Sequence, residues 1–152
     1  MAMERLGRVV AIGQGTYWAA TGMWPIVHLR SFEAVTGPKS EGWLVKTVGG
    51  LITAVGATLV VAGLRRRVTP EIALLGAGSA LALGGAGGWY AWRGRIRGIY
   101  LADAAVEALL AAAWGLAARR RRAAARRLRT GVRSGITRQG AGRRGSGPTL
   151  SA

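Results

Sequence analysis

Two carboxylates stand four residues apart inside an apolar run, Asp103 and Glu107 in IYLADAAVEALLAAAWGLAA. On a helix that spacing puts both on one face, and at about 1.5 Å per residue Glu107 lies about 12 Å beyond Ile99. An ionised carboxylate at that depth in lipid costs several kcal/mol unless it is paired or hydrated, so an intramembrane acid marks a site with a partner. Lys46, near the start of another apolar run, enters from the same end and is the expected partner. His28, Arg30, Glu33, Lys39 and Arg97 gather at that end as well, which gives a candidate polar cluster of these six residues with Asp103 and Glu107.

Three kinds of function use such a cluster. The first is an ion-pair network that fixes how helices pack. The second is a small polar pocket that holds a ligand, a lipid headgroup or a quinone. The third is proton or cation transfer, which is weakened because no acid continues the path inward from Glu107. Enzyme chemistry has less to stand on. The chain has no cysteine and one histidine, which removes thiolate nucleophiles and zinc sites built from several imidazoles, and the acids have neither a nucleophile nor a metal set beside them. No catalytic residue, metal or cofactor is expected. The Gly13-Gln14-Gly15 triplet is not a nucleotide loop, because no strand precedes it and no acid follows at dinucleotide spacing.

The elements that must position these residues are apolar and long. Half of the 152 residues are hydrophobic, yet the formal net charge is +16. The two facts are compatible when apolar segments face lipid and charges sit in loops and a tail. Four segments of spanning length follow, at about 9–29, 43–64, 72–92 and 99–118. Backbone in lipid must bond to itself, so each is a helix in spite of the β-branched residues in the second. The first segment is the least apolar, with Gln14, Thr16 and His28. Reading it as a cleaved leader is disfavoured, since the run is too long and Ala19-Ala20-Thr21 is followed by Trp24 and Pro25 rather than a polar start. The third starts at Thr69-Pro70-Glu71, where Thr caps, Pro takes the first helical position and Glu meets the positive end of the helix.

Short connections at 30–42, 65–70 and 93–98 make consecutive helices antiparallel neighbours, so the expected fold is all-α, a four-helix up-down membrane bundle of residues 1–118. In the first connection Ser31 is expected to cap a short interfacial turn bearing Phe32 and Val35, with Gly37-Pro38 reversing the chain. Trp24, Trp43, Trp89, Trp92 and Tyr100 would mark the membrane interface. In the third segment Gly76, Ala80, Gly84 and Gly88 recur every four residues and form a small-residue face for close helix packing.

Residues 119–152 carry eleven arginines, no acid and no aromatic, and are expected to be largely disordered. Arginine position matters more than arginine number, because the Ala, Gly and Arg usage is that of high-GC coding. With an even number of spans, the termini and loop 65–70 lie together and hold sixteen basic residues against five in the other connections. Both termini are therefore expected on the cytoplasmic side. Arg65, Arg66, Arg67, Arg119, Arg120, Arg121 and Arg122 would then contact anionic lipid headgroups. The bilayer is the first expected partner, with a second copy of the chain or another membrane protein after it. Nucleic acid is disfavoured for want of a stacking ring in the tail.

The stretch from GTYWAATGMWPIVHLRSFEAVTGPK through WLVKTVGGLITAVGA to PEIALLGAGSALAL resembles a group of small uncharacterised four-helix membrane proteins of high-GC bacteria. There is a fainter likeness to DoxX-like proteins in length and helix count. The resemblance implies topology and a bacterial cytoplasmic membrane, and no activity. The expected function is action through partner or lipid interactions, with ligand binding or small-molecule transport through the polar cluster as the alternative and a membrane enzyme third.

Overall fold

In a computed structural model the backbone is described for residues 2–142 and the side chains for residues 5–127. The described residues form five α-helices and no strand: α1 (Ala2–Val27), α2 (Leu29–Thr36), α3 (Gly42–Leu64), α4 (Pro70–Trp92) and α5 (Ile99–Gly142). Three of them are long and apolar enough to cross a membrane: α3, α4 and the part of α5 over Ile99–Arg127. The 26-residue α1 is not among these. Gln14, Tyr17 and Trp18 lower its hydropathy and are buried or half-buried, whereas Thr16 is exposed.

Met1–Ala118 and Arg119–Ala152 are two compact units. In the second, helical backbone continues to Gly142, where composition alone suggests a largely disordered tail. Over its first nine residues the cause is local, because residues 119–127 are all Ala or Arg, two of the strongest helix formers. Residues 143–152, which complete the expected tail, lie outside the described residues.

In the first unit, α1 and α3 meet along a seam of glycines spaced seven apart. A Cβ built on Gly15 would lie 2.5 Å from the Gly56 carbonyl oxygen, and one on Gly22 would lie 2.6 Å from that of Gly49. A Cβ on Gly63 would lie 3.2 Å from the Arg8 carbonyl oxygen. Partner numbers fall along α3 as they rise along α1, so these two helices run in opposite senses. A seven-residue repeat of bare backbone permits this approach, since any side chain at those positions would hold the helices apart. The Arg8 Nε donates to the Gly63 carbonyl at 3.2 Å and ties off the end of the seam.

The small-residue face of α4 is turned to α5. A Cβ on Gly76 would meet the Trp114 ring at 2.6 Å, one on Gly84 would meet the Glu107 Cβ at 2.8 Å, and one on Gly88 would meet the Ala104 Cβ at 3.2 Å. Ala80, on the same face, is buried. Val10, Ala11, Leu59, Val68 and Trp114 form an apolar cluster at the end of the unit away from α2.

The start of α4 follows its residues: Thr69 is the N-cap and Pro70 opens the helix. Its end is set by Gly94, whose φ of 68° lets Gly94 N and Arg95 N bond back to Ala91 O and Tyr90 O, each at 3.0 Å. The short helix α2 starts differently from the expectation. His28, not Ser31, is its N-cap, and His28 Nδ1 accepts from the Ser31 N–H at 3.2 Å. The Ser31 hydroxyl instead donates to the His28 carbonyl and accepts from Trp24 Nε1 at 2.7 Å. An imidazole nitrogen reaches the same orphan donor that a hydroxyl would.

Candidate binding cavity

Gln14, Tyr17 and Trp18 sit three and four residues apart, so they share one face of α1. That face is turned to α4 and α5. Gln14, with 0% of its surface exposed, donates to the Gly76 carbonyl at 2.9 Å and accepts from Trp114 Nε1 at 2.6 Å. Trp18 donates its Nε1–H to Glu107 Oε1 at 2.7 Å. The Tyr17 hydroxyl donates to Asp103 Oδ1 at 2.5 Å. Both acids are thus held by aromatic donors from α1. The three bonds to α5 each span more than eighty residues of sequence, so the ladder fixes the rotation of α1 against α5.

Glu107 is 2% exposed, and its second oxygen, Oε2, has no hydrogen-bond partner in the protein. A buried acceptor left bare costs about 1–3 kcal/mol, more for a charged group. Glu107 lines a half-open cavity of about 660 Å³ bordered by residues of all five helices, with Trp18, Ile52 and Leu83 among its walls and Phe32, Val35 and Tyr100 from the α2 end. The volume is that of a small-molecule site, and apolar and aromatic walls with a few polar groups are the usual lining of one.

Three charged side chains line this space: Lys39, Asp103 and Glu107. Lys39 does not pair with either acid. Its Nζ donates to the Thr36 carbonyl at 3.1 Å and stands 5.1 Å from the centre of the Tyr100 ring. Asp103 is half-buried, one helical turn from Glu107 towards α2.

Of the eight residues expected to cluster, the structure brings together Lys39, Asp103 and Glu107. Glu33 and Arg97 stand one step away and fasten α2. Glu33 Oε1 accepts from the Lys39 backbone N–H at 3.1 Å, and Arg97 donates to the Ala34 carbonyl at 2.7 Å. His28 serves the α2 cap, and Arg30 is exposed.

The expected pairing of Lys46 with the acids is not formed. Lys46 is exposed and does not line the cavity, whereas its neighbours Val45, Val48 and Gly49 do. The rotation of α3 sends Lys46 outward, and Glu107 is level with Trp18 and so with Gly56, ten residues further along α3. Tyr100, expected at the interface, is a cavity wall. Trp43 and Trp92 are exposed, and Trp89 lies under Arg93, whose guanidinium carbon is 4.4 Å from the ring centre.

Tyr17, Trp18, Gln14 and Trp114 are the functional residues that sequence reasoning missed. The available signal was the one-face spacing of Gln14, Tyr17 and Trp18, together with the need of two buried acids for donors. Among the described residues, no group of three or more His, Cys, Asp or Glu could hold a metal ion. No family model matches the chain, and neither curated proteins nor solved structures give a match.

Proposed function

We propose that the chain is a four-span protein of a bacterial cytoplasmic membrane, with cytoplasmic termini, that binds a small amphiphile in the cavity between its helices. The observation that carries this is the cavity of about 660 Å³ with a buried carboxylate oxygen facing no protein partner. A network serving packing alone would close on itself and leave neither the space nor the bare acceptor. Ligand binding therefore ranks above action through partner contacts alone.

Membrane placement is supported by an exterior as apolar as a core. Leu51, Leu74, Leu81, Trp92 and Leu109 are all more than half exposed, which in water would be an aggregation liability. The case for α1 as the fourth span is that Gln14, Tyr17 and Trp18 are spent inside, on Gly76, Asp103, Glu107 and Trp114. Its mean hydropathy thus understates how apolar its outward face is, where Val9, Met23, Ile26 and Val27 are exposed. The orientation rests on sixteen basic residues against five. In that placement Arg65, Arg66, Arg67 and Arg119 to Arg122 meet anionic headgroups, and the cavity lies in the non-cytoplasmic half.

The test is saturable binding of tritiated dodecanol to the protein in phosphatidylcholine nanodiscs. Ala86, on the cavity wall, is replaced by Trp to fill the space. The native protein should show a saturable component that Ala86→Trp lacks while it still melts cooperatively. Identical, non-saturable partition into both samples would overturn the proposal.

A further inference from the structure

We infer that the cavity is built for the ammonium head of a lipophilic amine, with Glu107 Oε2 as its hydrogen-bond acceptor and Asp103 as the flanking counter-charge. This rests on the amphiphile-binding reading and goes beyond it by naming the head.

Charge is the first ground. The lining holds two carboxylates and one ammonium, and the ammonium is already engaged with the Thr36 carbonyl and the Tyr100 ring. An anionic head would face two acids and a single ammonium in an apolar space. Hydrogen-bond inventory is the second. Trp18 Nε1–H and Tyr17 O–H are both spent on the acids, which leaves Glu107 Oε2 as a buried acceptor without a partner. A ligand that brings N–H groups satisfies Oε2, whereas one that brings only acceptors leaves it bare. The aromatic walls are the third. Tyr17, Trp18 and Tyr100 surround the acids, and ring faces attract cations, most of all where water is excluded. The Lys39 ammonium at 5.1 Å from the Tyr100 centre is an instance within this same cavity. The remaining wall is aliphatic, with Val48, Ile52 and Leu83, and suits the body of the amine.

An ammonium on an apolar body comes from two sources, a free lipophilic amine or the headgroup of an aminophospholipid. The experiment displaces tritiated dodecanol from the full chain in phosphatidylcholine nanodiscs, whose quaternary headgroups have no N–H. The competitors are dodecylamine, unlabelled dodecanol and dodecanoate, all of one chain length. Dodecylamine should displace the probe at a concentration at least tenfold below dodecanol, the scale of one hydrogen bond to a charged group, and dodecanoate should be the weakest.

Glu107→Gln keeps an oxygen for Trp18 and exchanges the bare acceptor for a donor. It should bring amine and alcohol to within about twofold while probe binding survives. Asp103→Asn, which leaves Oε2 in place, should reduce the amine preference less, and it supplies the comparison should Glu107→Gln fail to fold. Equal displacement by amine and alcohol, or a preference that survives Glu107→Gln, would overturn the cation assignment and leave amphiphile binding standing. Absence of saturable probe binding to the native protein would instead remove the underlying reading. Substituting phosphatidylethanolamine for part of the lipid weakens dodecylamine if the lipid's own ammonium takes the site and leaves it unchanged if free amines do. Either result retains the ammonium as the ligand chemistry.

Discussion

Replacing Gly56 by Ala adds one methyl group within the α1–α3 seam. That carbon would lie 2.7 Å from both the Ala19 nitrogen and the Gly15 carbonyl oxygen, and 3.1 Å from the Trp18 Cβ. Favourable contact needs about 3.5 Å, so the helices must part by roughly 0.8 Å. The first two neighbours are backbone atoms, which cannot swing aside as a side chain can. Overpacking of this kind costs about 1–3 kcal/mol, and the intrinsic gain of Ala over Gly in a helix returns about 0.5–1 kcal/mol. The net loss is then about 1–2 kcal/mol, or a fall in Tm of several degrees at about 2–4 °C per kcal/mol for a chain of this length. Trp18 moves with the seam, so its bond to Glu107 loosens as well. Thermal unfolding in mild detergent, followed by tryptophan fluorescence, measures this against Gly85→Ala, where nothing lies within 4 Å of the added carbon. Gly85→Ala should melt at or above the native temperature. If Gly56→Ala melts with Gly85→Ala, the seam is not the tight interface described and α1 must pack on α3 through other residues.

Trp18→Phe keeps a ring but strands both oxygens of Glu107, and should destabilise by about 1–3 kcal/mol. Combined with Glu107→Gln it should show a coupling of at least 0.5 kcal/mol in a double-mutant cycle, read from detergent melts, and additive losses would show that the two do not interact. Lys46→Met, at an exposed position, should change Tm by less than about 0.5 kcal/mol's worth, so a large loss would restore Lys46 as the partner of the acids. A reporter active only in the cytoplasm should work when fused after Ala152 and fail when inserted at residues 34–41, and the reverse pattern would invert the orientation.

What the sequence disclosed and what it withheld divide along a physical line. The start of α4 was legible because Thr69, Pro70 and Glu71 act within one turn. The stripe of Gly76, Ala80, Gly84 and Gly88 was legible as a packing face because its period matches the helix, although not that α5 covers it. The seam of Gly15, Gly22, Gly49, Gly56 and Gly63 also carries a period, of seven, but it is written across two helices and shows only when they are aligned. The partner of Glu107 was misassigned for a related reason. Sequence position gives only an approximate depth, since Glu107 is level with Trp18 and hence with Gly56, ten residues beyond Lys46 in α3. It gives the rotation of one helix against another poorly, and rotation sends Lys46 outward and brings Trp18 in. The spacing of Trp18 and Tyr17 reads as ordinary aromatic packing, which conceals that each has a donor able to hold a buried acid. The cavity lies at the junction of all five helices and has no signature in any one of them.

Binding between the helices rather than at the lipid surface is the claim on which the rest depends, and photolabelling tests it most directly. A dodecyl chain bearing a terminal diazirine, irradiated with the protein in nanodiscs and mapped by peptide mass spectrometry, reports which residues it touches. Ile52 and Leu83 line the cavity, whereas Leu51 and Leu81, one and two residues away, are 66% and 63% exposed on the outside. Labelling should concentrate on Ile52 and Leu83 at low probe concentration, saturate, and vanish in Ala86→Trp. Labelling that falls on Leu51 and Leu81, rises without saturation and is unchanged in Ala86→Trp would contradict it.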